Sequence, residues 1–155
     1  MWFSSPVMNA HQGELNFNDY AITLLWILCF LGEVVADQQQ WNFQTEKYSL
    51  LKTTSLDKLP PKFRKGFITD GLFAYSRHPN FFSEIMIWYV QYLFSHNSVG
   101  WNWTGIGAVL LNLLFLGSTA LTEKISTEKY PLYKNYQKTT SRLIPWLKSS
   151  SSKEE

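Results

Sequence analysis

Four acidic side chains lie where long apolar stretches begin or end, and they are the first groups in this sequence that could do chemistry. Glu33 and Asp37 are four residues apart, so they share one face of a helix. Glu84 lies early in a second apolar stretch, and Glu123 ends a third. Ionisable groups are costly inside a bilayer, which makes them candidates for function. Pairing with interfacial lysine and arginine side chains is the alternative for each of them.

A polar segment precedes Glu84 and reads Ser-Arg-His-Pro-Asn at residues 76–80. The guanidinium of Arg77 suits a phosphate or carboxylate, and the amino end of the helix that Pro79 begins also favours an anion. Asn80 both donates and accepts hydrogen bonds, as binding of an amide or a base edge requires. The segment therefore indicates an anion site at a helix terminus, with contacts to lipid headgroups as the alternative.

Three apolar stretches must position these side chains. No Asp, Glu, Lys or Arg occurs between residues 85 and 122, and a polar segment divides this interval. We predict helices over about 80–94 and 104–121, and an earlier helix over 20–36. A bilayer core requires about 20 apolar residues in a helix. The sequence therefore predicts an all-α integral membrane helical bundle with about three transmembrane helices and short cytoplasmic helices. Taken alone, the first stretch also fits a core helix of a soluble protein.

Positive charge is segregated along the chain. Of the 14 Lys and Arg residues, seven lie between residues 47 and 77 and seven follow residue 122. With three spans, both groups lie on the cytoplasmic side, as the positive-inside rule requires. The turn at 95–103 then lies on the other side. We expect residues 38–70 to form a cytoplasmic loop with one helical piece, because two adjacent prolines block a continuous helix.

The composition excludes several classes of protein. Only 17% of the 155 residues are charged, and the formal net charge of +2 is too small to indicate a nucleic-acid partner. The single cysteine, Cys29, excludes an internal disulfide and a thiolate zinc cluster, and we expect no metal site. We expect a non-cytoplasmic segment over 1–19, one membrane domain over 20–148 and a disordered tail over 149–155.

Three segments of the sequence match, in order, the blocks of a known family. Residues 71–84 read GLFAYSRHPNFFSE, similar to the pattern G-L-[WF]-x-Y-S-R-H-P-N-[YF]-x-G-E. Residues 33–43 match E-x-x-A-D-x-Q-x-x-x-F, and residues 130–146 match a closing block that ends in Ile-Pro-Trp. Ser83 departs from the usual glycine, and Ala74 departs from a frequent arginine. The chain thus resembles the DUF1295 branch of the steroid 5-alpha-reductase C-terminal superfamily.

The resemblance implies a multi-pass membrane oxidoreductase that binds NADPH between the cytoplasmic ends of its helices. Such an enzyme reduces a carbon–carbon double bond of a lipid or steroid-like enone. The positive-inside topology fits the endoplasmic reticulum of a eukaryote and the inner membrane of a bacterium equally. By motif position, the implied cofactor contacts are Asp37, Arg77, His78, Asn80, Glu84, Trp88 and Tyr136. The resemblance assigns no catalytic residue, because the family's substrate-polarising acid and tyrosine lie in earlier helices. Nineteen largely polar residues precede our first span, so we expect those helices to be absent.

Two other functions are alternatives. An isoprenylcysteine carboxyl methyltransferase-like protein would bind S-adenosylmethionine, and such proteins also carry an Arg-His-Pro motif. They usually carry a Glu-Glu pair after the last long span, where this chain has Glu123-Lys124. The second alternative is a truncated, non-catalytic membrane subunit that requires a partner chain to supply the missing helices.

Overall fold

The computed structural model describes residues 15–146, which form α-helices and contain no β-strand. The helices are α1 (Phe17–Leu51), α2 (Pro61–Arg64), α3 (Pro79–Val99), α4 (Gly105–Lys129) and α5 (Tyr133–Thr139), with 3-10 turns at Leu56–Lys58 and Gly71–Ala74. This architecture confirms the predicted all-α class. The predicted tail at 149–155 and most of the segment 1–19 lie outside the described residues.

α1 begins at a capping box and runs far beyond its predicted end at residue 36. Asn16 Oδ1 accepts the backbone N–H of Asp19 at 3.2 Å, and Asp19 Oδ2 accepts the N–H of Asn16 at 2.9 Å. Residues 38–51 contain neither glycine nor proline and form a helical part of the segment that was predicted as a loop with one helical piece, but they continue α1 instead of forming a separate helix. Phe43 and Lys47, one turn apart, are 3% and 2% exposed. Packing of this face keeps the segment helical.

α3 also continues beyond its predicted end. Residues 95–99 are helical, so the turn before α4 is shorter than predicted. The polar side chains there find partners without breaking the helix, as when Asn97 Nδ2 donates to Asp19 Oδ1 at 2.7 Å. Gly100 ends α3 with a φ of 72°, a conformation that favours glycine.

α1 and α3 pack antiparallel and are joined by a polar contact at each end. Asn80 Nδ2 donates to Asp37 Oδ1 at 3.0 Å, and Asn97 donates to Asp19 at the other end. At about 1.5 Å per residue, the two contacts are about 26–27 Å apart along the helices. This separation is close to the roughly 30 Å hydrocarbon core of a bilayer.

α1 and α4 are long and apolar enough to cross a membrane, by length and composition. Their most apolar 18-residue windows are only 6% and 11% buried within the chain, whereas a core helix of a soluble protein would be mostly buried. α4 extends past its predicted end at residue 121 to Lys129. α3 is not apolar enough to be counted with α1 and α4, so the third span stays a prediction.

An apolar core joins the carboxyl end of α1 to the loop that follows it. Its members are Ala36, Phe43, Leu59, Phe63, Ile68 and Phe73. Beside this core, buried Lys47 donates from Nζ to the carbonyl of Gly66 at 2.9 Å and lies 4.7 Å from the centre of the Tyr48 ring. The core therefore holds the loop that leads into α3.

Candidate functional site

The polar segment before α3 is held by the carboxyl-terminal segment of the described chain. The backbone N–H of Arg77 donates to the carbonyl of Ser141 at 2.9 Å, and that of His78 donates to the carbonyl of Arg142 at 3.1 Å. Pro79 is the first residue of α3, as predicted, where the missing N–H costs nothing. These contacts fix the entry of the chain into α3.

Arg77 forms a buried ion pair with Glu123 of α4. Nε and Nη2 donate to the two carboxylate oxygens at 2.7 and 3.1 Å, and the side chains are 8% and 4% exposed. Nη1 donates to the carbonyls of Gln137, at 2.9 Å, and Thr140. Each guanidinium nitrogen therefore donates to the protein itself, which makes the buried charge tolerable.

Glu123 is the centre of a wider cluster of polar groups. His78 Nε2 lies 3.1 Å from Oε1, and Gln137 Nε2 donates to Oε2 at 2.9 Å. Arg142 Nε lies 3.7 Å from Oε2. Two guanidinium charges thus face one carboxylate, which leaves an excess of one positive charge when His78 is neutral. Glu123 therefore pairs with arginine, in agreement with the alternative that the sequence offered for it.

Tyr136 of α5 is buried against the same segment. Its hydroxyl donates to the carbonyl of Phe73, and its ring packs with those of Phe67 and Tyr133 at centroid distances of 5.5 and 5.6 Å. Burial raises the pKa of Tyr136 above its usual range, and burial together with the charge of Glu123 raises the pKa of Tyr133 to about 12. Both tyrosines therefore stay neutral at physiological pH.

A second set of polar side chains lies along the contact between α1 and α3. Asp37 accepts from Asn80 across the two helices. On α3, Trp88 Nε1 donates to Glu84 Oε1 at 3.0 Å, so the spacing of four residues brings the two together as predicted. We call Asp37, Asn80, Glu84 and Trp88 the exposed row; Asp37 and Trp88 are exposed, and Asn80 and Glu84 are half-buried.

The seven side chains implied as cofactor contacts thus fall into two groups. Asn80 Oδ1 and Asp37 Oδ2 have no hydrogen bond within residues 15–146, and Trp88 is 45% exposed. These groups fit the amide, hydroxyl and ring surfaces of a nicotinamide dinucleotide. By contrast, the guanidinium of Arg77, Nε2 of His78 and the hydroxyl of Tyr136 contact other groups of the protein. Direct contact of these three with a cofactor stays a prediction.

A cleft of about 230 Å³ lies between the carboxyl half of α1 and the loop that follows it. Gln39, Asp70 and Gly71 are among the residues that line it, and none of the predicted cofactor contacts does. Its volume is below the roughly 300–1,000 Å³ usual for small-molecule pockets. The exposed row is therefore the better candidate site.

The sequence did not reveal the partners of Glu123. Gln137, Thr140 and Arg142 belong to the closing sequence block and all contact the Arg77–Glu123 pair. The available signal for this contact was that the three blocks match the family in order. Blocks that occur together in a family often contact one another in the fold.

The fold and the site together define an all-α protein with two helices suited to a membrane and a polar site where α3 begins. The chain belongs to the DUF1295 family, whose model is described as a protein of unknown function and matches residues 1–140. This family is the steroid 5-alpha-reductase-like group, so membership indicates a membrane protein of that kind.

The chain is also similar to an uncharacterized protein of Schizosaccharomyces pombe. The two are 40% identical over 147 residues, which cover 85% of this chain and 40% of that relative. The chain therefore spans less than half of the relative's length. No solved structure matches the chain.

Proposed function

We propose that this chain is the cofactor-binding part of a membrane reductase that uses NADPH. The observation that carries the proposal is the exposed row near the beginning of α3. In this row Asn80 donates a hydrogen bond to Asp37, and Trp88 donates one to Glu84. Asp37, Asn80 and Glu84 occupy matching positions in the family's sequence blocks, and Trp88 follows Glu84 by four residues. The substrate in this proposal is a lipid or steroid-like enone that carries a reducible carbon–carbon double bond.

The contacts within the exposed row orient its groups for binding. Because Asn80 donates from Nδ2 to Asp37, its Oδ1 is left as an acceptor for an amide N–H. The bond from Trp88 to Glu84 sets the direction of the indole, whose partly exposed ring offers a stacking surface. When bound, NADPH supplies the hydride for the reduction.

The exposed surfaces of the helices support an apolar substrate. Leu24, Leu28 and Leu31 of α1 are each more than half exposed, and α4 presents a similar series of leucines. Such surfaces favour lipid contact, so a substrate dissolved in the bilayer could reach the helix pair from the side. This supports a lipid in preference to a water-soluble substrate.

The test is ligand binding by the full chain in mild detergent, with NADPH and S-adenosylmethionine titrated in parallel while thermal stability is followed. A ligand that binds the folded state raises its stability, by about 2.7 kcal/mol at 100 times Kd. We expect NADPH to raise the melting temperature and Asn80→Ala and Glu84→Ala to weaken this effect.

The matched control for Asn80→Ala is Asn97→Ala. Asn97 also joins α3 to an aspartate of α1, at 2.7 Å, but at the opposite end of the helix pair. Both variants lose one contact between the helices, and only Asn80→Ala is expected to weaken NADPH binding. Stabilisation by S-adenosylmethionine alone would move the protein to the methyltransferases, and equal NADPH affinity in both variants would contradict the role of Asn80.

A further inference from the structure

Arg142 differs from the other cations around Glu123 because its side chain reaches solvent. It is 43% exposed, whereas the side chains of Arg77 and His78 are 8% and 9% exposed. The sequence did not single out this arginine. Arg142 is therefore the cation of the cluster that a ligand in solvent can reach, and it lies beside the entry to α3.

The guanidinium of Arg142 is not held by a hydrogen bond within residues 15–146. Its Nε is 3.7 Å from Glu123 Oε2, which is longer than a hydrogen bond. That oxygen already accepts from Arg77 at 3.1 Å and from Gln137 at 2.9 Å. The carboxylate therefore has better donors, and the guanidinium of Arg142 is available to another acceptor.

The charges of the cluster favour an anion as that acceptor. Glu123 is the carboxylate in all three ion pairs found in the described chain, and two arginines share it. One positive charge is therefore uncompensated beside the buried pair, and it favours an anion at the exposed guanidinium of Arg142.

The backbone places this charge at the beginning of α3. The carbonyl of Arg142 accepts the N–H of His78 at 3.1 Å, and the carbonyl of Leu143 accepts the hydroxyl of Ser76 at 2.7 Å. His78 is the residue before α3 and provides no side-chain cap, and Asn80 follows it by two residues. The guanidinium is thus attached to a backbone that is held at the beginning of α3, where the exposed row also begins.

We infer that Arg142 binds a phosphate group of the cofactor. This inference rests on the proposed function and names the residue that recognises the charged part of NADPH. A guanidinium donates two parallel hydrogen bonds to phosphate oxygens, which makes arginine well suited to the task. A phospholipid headgroup offers the same chemistry, so the experiment includes both sources of phosphate.

The experiment measures NADPH affinity of the full chain in neutral detergent for three proteins: the parent, Arg142→Gln and Lys134→Gln. Lys134 is an exposed cation on α5 in the same carboxyl-terminal segment, so its variant is a control for the loss of one positive charge. We expect Arg142→Gln to bind NADPH about 10- to 100-fold more weakly. Lys134→Gln should bind like the parent, and Arg142→Lys should recover part of the affinity.

Two parallel titrations identify the phosphate. If the variant loses affinity for NADPH and keeps that for NADH, Arg142 binds the 2′-phosphate; equal losses for both assign it to the diphosphate. In the second titration, phosphatidic acid is added to the same micelles. If Arg142→Gln loses the rise in melting temperature that phosphatidic acid causes in the parent but keeps its NADPH affinity, the partner of Arg142 is a lipid headgroup. That result would overturn the inference.

The inference and the proposed function fail in different ways. If the folded parent does not bind NADPH, the proposed function is wrong. If the parent binds NADPH and Arg142→Gln binds it equally well, the function stands and the assignment of Arg142 is wrong. Equal melting temperatures of parent and variant without ligand would establish that both are folded.

Discussion

Arg77 and Glu123 are 46 residues apart in the sequence and form a two-point ion pair, with N–O distances of 2.7 and 3.1 Å. The pair joins the entry of α3 to the carboxyl-terminal part of α4. Asn80 lies three residues after Arg77, at the beginning of the exposed row. The buried pair therefore positions the candidate site relative to α4, although it does not itself offer free atoms to a ligand.

Removal of the charge of Glu123 should destabilise the protein. Glu123→Gln leaves Arg77 buried without a counter-charge, and breaking a buried pair costs about 3–5 kcal/mol. Thermal unfolding in detergent measures the effect. Glu128→Gln, at an exposed position of the same helix, is the control and should change the melting temperature little. Equal melting temperatures for the two variants would contradict a stabilising role of the pair.

Gly66 should not tolerate a side chain. Its φ is 86°, and an added Cβ would overlap the Tyr130 ring. Gly66→Ala should therefore lower the free energy of unfolding by more than about 1 kcal/mol. Gly107→Ala is the control, because that position is helical and has open space around it. If both variants unfolded at the same temperature, the close packing of Tyr130 on Gly66 would be refuted.

Stability should fall in alkaline solution through Tyr133. Because burial raises its pKa from 10 to about 12 in the folded chain, the unfolded chain loses the phenolic proton first. The stabilisation is complete below pH 10 and is lost as pH rises from about 10 to 12. Melting temperatures measured across this range should fall less steeply for Tyr133→Phe. A control at exposed Tyr75 should leave the slope unchanged, and parallel curves for parent and Tyr133→Phe would exclude the effect.

If the antiparallel pair of α1 and α3 spans the membrane, its two ends should face opposite sides. Ser49 lies near the carboxyl end of α1 and Ser98 near the carboxyl end of α3, and both are exposed. Single cysteines at these positions, in a chain with Cys29→Ala, report access to an impermeant maleimide. We expect Ser98→Cys to react from the non-cytoplasmic face and Ser49→Cys from the cytoplasmic face. Reaction of both from one face would exclude a spanning pair.

Local spacing made part of the site predictable. Glu84 and Trp88 are four residues apart, and a helix brings such positions together whatever surrounds it. Pro79 was predicted to begin a helix for an equally local reason, since a proline needs no N–H partner there. Both predictions are confirmed because they depend only on the geometry of one helix.

The predictions of where helices end were less successful. Polarity indicated a loop with one helical piece from residue 38 and a turn from residue 95, but α1 continues without a break to residue 51 and α3 continues to residue 99. In the first, Phe43 and Lys47 are buried against the following loop; in the second, Asn97 finds a partner on α1. Contacts with distant segments therefore compensate for polar residues that would otherwise favour a turn.

The sequence by itself determined the helical class, the apolar stretches and the family, because hydrophobic periodicity and motif order are properties of the chain. Only the tertiary structure decided that Arg77 is engaged by Glu123 while Arg142 stays partly exposed. The physical reason is that pairing and burial depend on which segments meet in space. Glu123 and the two arginines come from separate parts of the chain, and no local sequence pattern predicts which arginine forms the close ion pair with Glu123.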